Sequence, residues 1–359
     1  MPLLARTVMT PLTIEISRGA LGRLDAVVAD GRISGRGRVA VVLGTGIGPD
    51  LVDQVSKSLP AADLLSIDAG TYDSAIALAE RLKAPEYDAV VGVGGGKIID
   101  TVKYAASQRG MSMVAVATSL AHDGLASPVS TLAHLGGYPS YGVHIPIAVV
   151  VDLDIVARSP AYQIRSGIGD ELSNLSACAD WELSHAITGE PIDGLALSLA
   201  RTGAEAVLDH PGTITDVDFL ATLARSLVLG GVAMAVAGSS RPCSGACHEI
   251  THALTARHPD AASHGVSAGL GALFAMFLRT RVDTAHGPTF RRMASALGRH
   301  GVPRRPADIG LTATEFADVV AFAPATRPGR YTILEHLSLD PAAVVTAVEE
   351  FVDAVGDAR

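Results

Sequence analysis

Four of the twelve histidines, His248, His252, His258 and His264, fall within one short stretch of the chain. Imidazole is the commonest metal ligand in proteins. His248 and His252 stand four apart, so on a helix they share a face and look into the same space. Asp170 follows Gly167-Ile168-Gly169 at what reads as the start of a long helix, and it supplies an anionic oxygen. Two imidazoles and a carboxylate leave coordination positions open, which suits a Lewis-acid site for a carbonyl or hydroxyl substrate. The same window has two other readings. The histidines are solvated on an amphipathic helix, or His248 joins the thiolates of Cys243 and Cys247 in a structural zinc site. Small buried cysteines packing a helix are the simpler account of the thiols. His258, between Arg257 and Pro259, reads as an exposed loop residue.

A second chemistry is written in Gly94-Gly95-Gly96-Lys97-Ile98-Ile99-Asp100. Consecutive glycines let backbone amides approach a pyrophosphate closely, and the following helix N-terminus adds positive potential. Asp100, early in that helix, can accept from amides or from a nicotinamide carboxamide. A tight turn that needs positive φ is the competing account. Gly44 to Gly48 is another glycine turn without Asp or Glu to hold an adenine ribose 2′-hydroxyl, which favours tolerance of NADP.

The elements that must position these residues follow from apolar patterning. Val39–Leu43, Ala89–Val93, Met113–Ala117 and Ile147–Val151 are short β-branched runs with helical spacers between them, the pattern of βαβ units and a parallel sheet. Ligands of such sheets lie beyond the carboxyl ends of the strands, where the glycine loops and Thr118-Ser119 fall. After about Ser159 the strands stop. Gly169–His185, Ile192–Leu208 and Phe219–Val236 read as long helices. The expected organisation is an α/β Rossmann-like domain, residues 1–156, followed by an all-α domain, 157–359, with the site in the cleft between them.

The 359 residues are 48% hydrophobic and 18% charged, enough for a large core. A net charge of −9 argues against nucleic acid and against simple adhesion to an anionic membrane. Three cysteines make no disulfide framework, which fits a reducing, cytoplasmic compartment. No signal peptide is expected at the N-terminus, and the apolar run Leu227–Ala237 reads as a core helix too short to span a membrane.

Taken together, GVGGGKIIDTVKYAA (92–106), ATSLAHDGLASPVS (117–130), SGIGDELSNLSACADWELSHA (166–186), RPCSGACHEITHAL (241–254), HGVSAGLG (264–271) and RYTILEHL (330–337) resemble the sn-glycerol-1-phosphate dehydrogenases. That family lies within the iron-containing alcohol dehydrogenase, glycerol dehydrogenase and dehydroquinate synthase superfamily. The resemblance implies that Gly95, Gly96, Lys97 and Asp100, with Gly94 before them, line the pyrophosphate and nicotinamide of NADH or NADPH. It implies cofactor contacts at Thr118, Ser119 and Ser127. It places Asp123 and His252 at the substrate, as candidate proton relays. It assigns one divalent metal, zinc or else nickel or iron, to Asp170, His248 and His264, with Asp170 also touching substrate. Two positions depart from the family's pattern. Cys247 stands where the family tends to carry Glu, and the loop between His248 and His264 is short. Both are expected beside the substrate.

The activity implied is reduction of dihydroxyacetone phosphate to sn-glycerol 1-phosphate. Arg330, together with Arg241, is the candidate for the substrate phosphate. Alternatives are a dehydrogenase of the same mechanism on another polyol, phosphosugar or specialised-metabolite alcohol, a dehydroquinate-synthase-like cyclase, and a non-catalytic cofactor-binding protein. A homo-oligomer is expected.

Overall fold

A computed structural model describes residues 8–35 and 37–357. Its two compact units divide at Pro160/Ala161. The boundary expected after residue 156 coincides with the end of a short helix that still belongs to the first unit.

The first unit is built on eight strands: β1 (Thr13–Ser17), β2 (Arg38–Gly44), β3 (Asp63–Ile67), β4 (Tyr87–Gly94), β5 (Ser112–Ala117), β6 (Val129–Thr131), β7 (Ser140–Gly142) and β8 (Ala148–Asp152). Its helices are α1 (Leu24–Val28), α2 (Pro49–Ser58), α3 (Tyr72–Arg81), α4 (Gly96–Arg109) and α5 (Leu153–Val156). Six strands form a wholly parallel sheet in the order β1-β8-β5-β4-β2-β3, and β6 and β7 form a separate antiparallel hairpin. The four apolar runs read from the sequence are β2, β4, β5 and β8, the four inner strands. Their side chains are buried on both faces, which is why they read as continuous apolar stretches. The two edge strands escaped that reading. TIEIS has no fully buried position and exposes Ile14, DLLSI alternates between half-buried and exposed positions until its buried last residue, and neither carries such a run.

From β2 the chain moves outward to β3, and from β4 it moves the other way to β5. The sheet therefore has a switch point between β2 and β4, the place where open α/β sheets leave a crevice for a ligand. Both glycine turns open there. Ile98 is wedged into it: a Cβ on Gly44 or on Gly94 would come within 2.8 or 2.7 Å of the Ile98 side chain.

The second unit is helical: α6 (Ala161–Thr188), α7 (Gly194–Asp209), α8 (Val217–Ala237), α9 (Ala246–Arg257), α10 (His264–Val282), α11 (Gly287–Arg299), α12 (Ala313–Phe322), α13 (Ile333–Leu337) and α14 (Pro341–Asp357). Helix α8 is longer than the apolar run suggested. By length and composition it could cross a membrane, yet 72% of its apolar window is buried inside the unit, where it packs on α7 and α6.

Asp170 lies in the middle of the 28-residue α6, not at a helix start. Gly169, read from the sequence as leading into a helix start, is instead part of a packing surface. A Cβ on Gly169 would stand 2.2 Å from the Gly265 carbonyl oxygen, and one on Gly265 would stand 2.0 Å from that of Ser166. Bare glycine backbone lets α6 and α10 touch, and that contact brings Asp170 next to the first residue of α10, His264. Gly169→Ala forces the two helices apart. Its expected cost is about 1–3 kcal/mol in urea unfolding, together with weaker zinc binding by titration. Gly194→Ala, on an exposed helical position where a Cβ meets nothing within 4 Å, serves as the silent control.

Candidate metal centre and cofactor loop

In the second unit three elements converge. Asp170 on α6 is buried, His248 in the first turn of α9 is half-buried, and His264, opening α10, is exposed. The Nε2 atoms of His248 and His264 are 3.2 Å apart, and they lie 3.8 and 3.7 Å from Oδ1 of Asp170. The two histidine–carboxylate distances are too long for hydrogen bonds. They suit atoms that share an ion, because a triangle with these edges has a point about 2.1 Å from all three donors, the usual zinc–nitrogen and zinc–oxygen distance. Among the described residues this is the group of three acidic, histidine or cysteine side chains placed to hold a metal. Burial, then the neighbouring His264 and His252, hold His248 well below the usual histidine range, which keeps its imidazole neutral as a ligand requires.

The cysteines are not part of this group. All three are buried and none is in a disulfide. Cys243 donates toward the Gly230 carbonyl and Cys178 toward that of Pro242. Cys247, expected beside the substrate, is wholly buried behind His248, with Sγ 3.4 Å from Nδ1 of that ring. Burial pushes its thiol up to about 12, so it stays protonated. His258 caps the C-terminus of α9 and is half-buried rather than exposed.

His252 lies one turn beyond His248. Its Nε2 accepts a hydrogen bond from Nη2 of Arg327 at 2.9 Å. Burial, then Arg327 and Arg330, push this imidazole down to about 4. The two arginines named from the sequence behave differently from one another. Arg241 is buried, grips Glu190 through Nε at 2.8 and 3.0 Å, and donates to the Tyr331 carbonyl at 2.9 Å. It is neutralised inside the fold and is not available to an incoming phosphate. Arg330 is half-buried, donates to the Ser244 carbonyl and lies 3.2 Å from the Ser240 hydroxyl. Burial, then Arg327 and Arg241, lower it to about 10. Arg327 escaped the sequence reading. It sits in an irregular loop, where spacing carries no facial information, and only the fold brings it to His252.

In the first unit, Gly95 precedes α4 with extended backbone and no side chain caps that helix. Its glycines are forced by close neighbours. A Cβ on Gly96 would meet His122 Nε2 at 2.1 Å, and one on Gly95 would meet Ser119 Oγ at 3.1 Å. None of Gly94, Gly95 or Gly96 has positive φ, so close approach rather than turn strain explains them. His122, whose Nδ1 accepts from the Gly124 amide, is a second residue the sequence reading passed over. Thr118 is tied to the loop by its amide, which donates to the Gly94 carbonyl at 3.1 Å. The Ser119 hydroxyl is buried and has no hydrogen-bond partner among the described residues. Lys97 is exposed, its stem lying against Gly70. Asp123 is half-buried at the start of a single 3₁₀ turn.

Two residues assigned to the cofactor also make contacts within the protein. Asp100 accepts from the Thr131 amide at 3.1 Å and stands 3.1 Å from Nζ of the fully buried Lys103. Ser127 donates to the Val129 carbonyl at 3.2 Å and lies 3.4 Å from the same ammonium. Both anchor the 123–131 segment to α4. At the other glycine turn, Gly44 pairs with Ile67, which sets the exposed Asp68 just past the neighbouring strand end.

Residues 15–160 match the iron-containing alcohol dehydrogenase family. The chain is 34% identical over 340 residues to the glycerol-1-phosphate dehydrogenase (NAD(P)+) of Methanospirillum hungatei, covering 92% of this chain and 90% of that one. It is 32% identical over 332 residues to the protein of the same name from Methanoregula boonei, covering 90% and 89%. A glycerol dehydrogenase structure from Schizosaccharomyces pombe superposes with a TM-score of 0.76 at 18% identity, over 99% of this chain and 92% of that one. One described as a probable glycerol dehydrogenase, from Sinorhizobium meliloti, gives 0.75 at 22% identity over 98% and 99%. At these identities the structures share the fold.

Because His252 is neutral in the folded chain, it resists protonation that the unfolded chain accepts below about pH 6.5. Its contribution is therefore fully present above that pH and is lost as pH falls toward 4, by at most about 1.4 kcal/mol per pH unit. Urea melts of the metal-free protein between pH 7.5 and 4.5 should show this slope added to those of His248 and His300, which burial also holds low, and His252→Asn should reduce the total by its own share.

Proposed function

Since the chain belongs to the glycerol-1-phosphate dehydrogenase family, we propose that it reduces a small phosphorylated hydroxyketone, dihydroxyacetone phosphate, to sn-glycerol 1-phosphate with NADH or NADPH. As a member it is an NAD(P)-dependent alcohol dehydrogenase. The observation that carries the substrate reading is the Asp170–His248–His264 triangle, with guanidinium groups one imidazole away at His252.

Asp170, His248 and His264 would hold a divalent ion, zinc on the evidence of two imidazoles, one carboxylate and an open position. Such an ion supplies Lewis acidity toward a ketone oxygen and stabilises the negative charge that develops there. The remaining roles belong to the chain's own groups. The uncapped start of α4 offers the amides of Gly95 and Gly96 to the cofactor's pyrophosphate. Ser119, buried beside Gly95 with its hydroxyl unmatched, is placed to complete its hydrogen bonding on the same ligand. His252, kept neutral with Nε2 accepting from Arg327, carries its proton on Nδ1 and is a candidate for relaying a proton to the product hydroxyl. Asp123 is the other candidate.

Three measurements test this reading. With the zinc-loaded enzyme, kcat/KM should be about 100-fold higher for dihydroxyacetone phosphate than for dihydroxyacetone, the worth of two charge-assisted contacts. Chelation should abolish turnover and added zinc should restore it. Equal kinetics on the two ketones would move the assignment to an unphosphorylated polyol. For the cofactor, Gly46 and Gly48 leave open space where a Cβ would touch nothing within 4 Å, so a 2′-phosphate has room. NADH and NADPH should bind within about 100-fold of each other. A larger preference for NADH would point to Asp68 as an acidic partner of the ribose hydroxyls.

A further inference from the structure

Resting on the reading of a phosphorylated substrate, we propose that Arg327 and the hydroxyl of Ser240 form the cradle for the substrate's phosphate. In this arrangement Arg330 is a positioning residue behind the cradle.

Three guanidinium groups crowd this corner of the second unit, and their partners differ. Arg241 is closed by Glu190. Arg330 is fastened to the backbone through the Ser244 carbonyl and points its other terminal nitrogen at Ser240 Oγ, 3.2 Å away. Arg327 touches the same Ser240 oxygen through Nη1 at 3.3 Å and His252 through Nη2 at 2.9 Å. Among the described residues no ion pair joins Arg327 or Arg330 to a carboxylate, while Arg241 beside them has one.

Glu249 and, for Arg330, Glu190 act on these two groups only from beyond ion-pair distance, and two half-buried like charges with no carboxylate in contact are costly to hold together. Their persistence at one hydroxyl points to an anion that completes the site. The hydrogen-bond inventory agrees. A hydroxyl has one donor and two acceptor positions, so Ser240, accepting from two guanidinium groups, keeps its own proton for an incoming acceptor. The guanidinium fork has five N–H donors, and Arg327 uses two. Its free donors match the planar, bidentate geometry that phosphate oxygens accept.

Position favours Arg327 over Arg330. Arg327 is bonded to His252, and His252 stands one helical turn from the metal-triad residue His248. A three-carbon substrate held by its ketone at the triad would turn its far end toward that guanidinium. Arg330, tied to the loop that leads into α9, holds Ser240 from behind.

The test uses the zinc-loaded enzyme with dihydroxyacetone phosphate, dihydroxyacetone, and inorganic phosphate as the free anion. For R327Q we expect the ratio of kcat/KM between the two ketones to fall at least about 30-fold, mainly through KM. Competitive inhibition by inorganic phosphate should weaken by a similar factor. R327K should recover part of the ratio, and S240A should lower it by about 3- to 10-fold. A folded R327Q whose ratio is unchanged overturns the proposal. So does an equal loss on both ketones, which would mean that Arg327 serves only His252. If R327Q does not fold, an unchanged ratio in both R327K and S240A overturns it. Failure of the underlying reading looks different: the parent enzyme itself would show no preference for the phosphorylated ketone and no inhibition by phosphate.

Discussion

A single buried carboxylate organises the helical unit. Asp180, in the middle of α6 and fully buried, accepts from the guanidinium of Arg279 on α10, from the amide of Ala246 at the start of α9, and from the amide of Ile333 at the start of α13. Each amide belongs to a helix N-terminus that would otherwise lack a partner. The helices so joined carry the site: Asp170 on α6, His248 and His252 on α9, His264 on α10, and Arg327 and Arg330 in the loop that leads to α13. Removing either partner of the buried Asp180–Arg279 pair would strand the other charge, a change that costs roughly 3–5 kcal/mol. The placing of the three candidate metal ligands therefore depends on a buried ion pair that is not among them.

The glycines make the second constraint. Helices normally stand 8–10 Å apart because side chains intervene. Between α6 and α10 there is bare backbone at Gly169, Gly265 and Gly269, where a Cβ on Gly269 would lie 2.8 Å from the Gly169 Cα. This closeness delivers a donor atom from each helix to one ion-sized point. The first unit uses the same device. Ile98 fills the space left by Gly44 and Gly94, which seats the start of α4 at the switch point of the sheet. Beneath it the Lys103 ammonium, fully buried, is satisfied by Asp100, the Gly124 carbonyl and Ser127.

Charge is distributed unevenly to match. The chain is net negative by nine, yet the surroundings of His252 carry a local excess of positive charge. Field strength in a cleft is set by its own lining rather than by the whole molecule. An acidic protein can in this way recognise an acidic substrate.

The resemblance to known dehydrogenases singled out Asp170, His248 and His264, whereas the sequence's own patterns determined the α/β-then-α organisation, the parallel sheet's four inner strands, the glycine loop at a strand end, and a histidine cluster suited to a metal. These follow from local rules: apolar runs, helical spacing and residue chemistry. Tertiary structure decided what local rules cannot reach. Edge strands lacked a signal because nearly all of their positions are only partly buried or exposed. Gly169 carried the signal of a helix start, although its reason lies on α10, about a hundred residues away. Asp100 and Ser127 read from the sequence as polar groups near a cofactor loop, and only the fold shows that they also meet the buried Lys103 ammonium and backbone groups. Arg241 and Arg327 were indistinguishable as residue types. Glu190, reached only through the fold, neutralises one, while the other keeps its charge beside His252, because a charge's role is fixed by its neighbours in space.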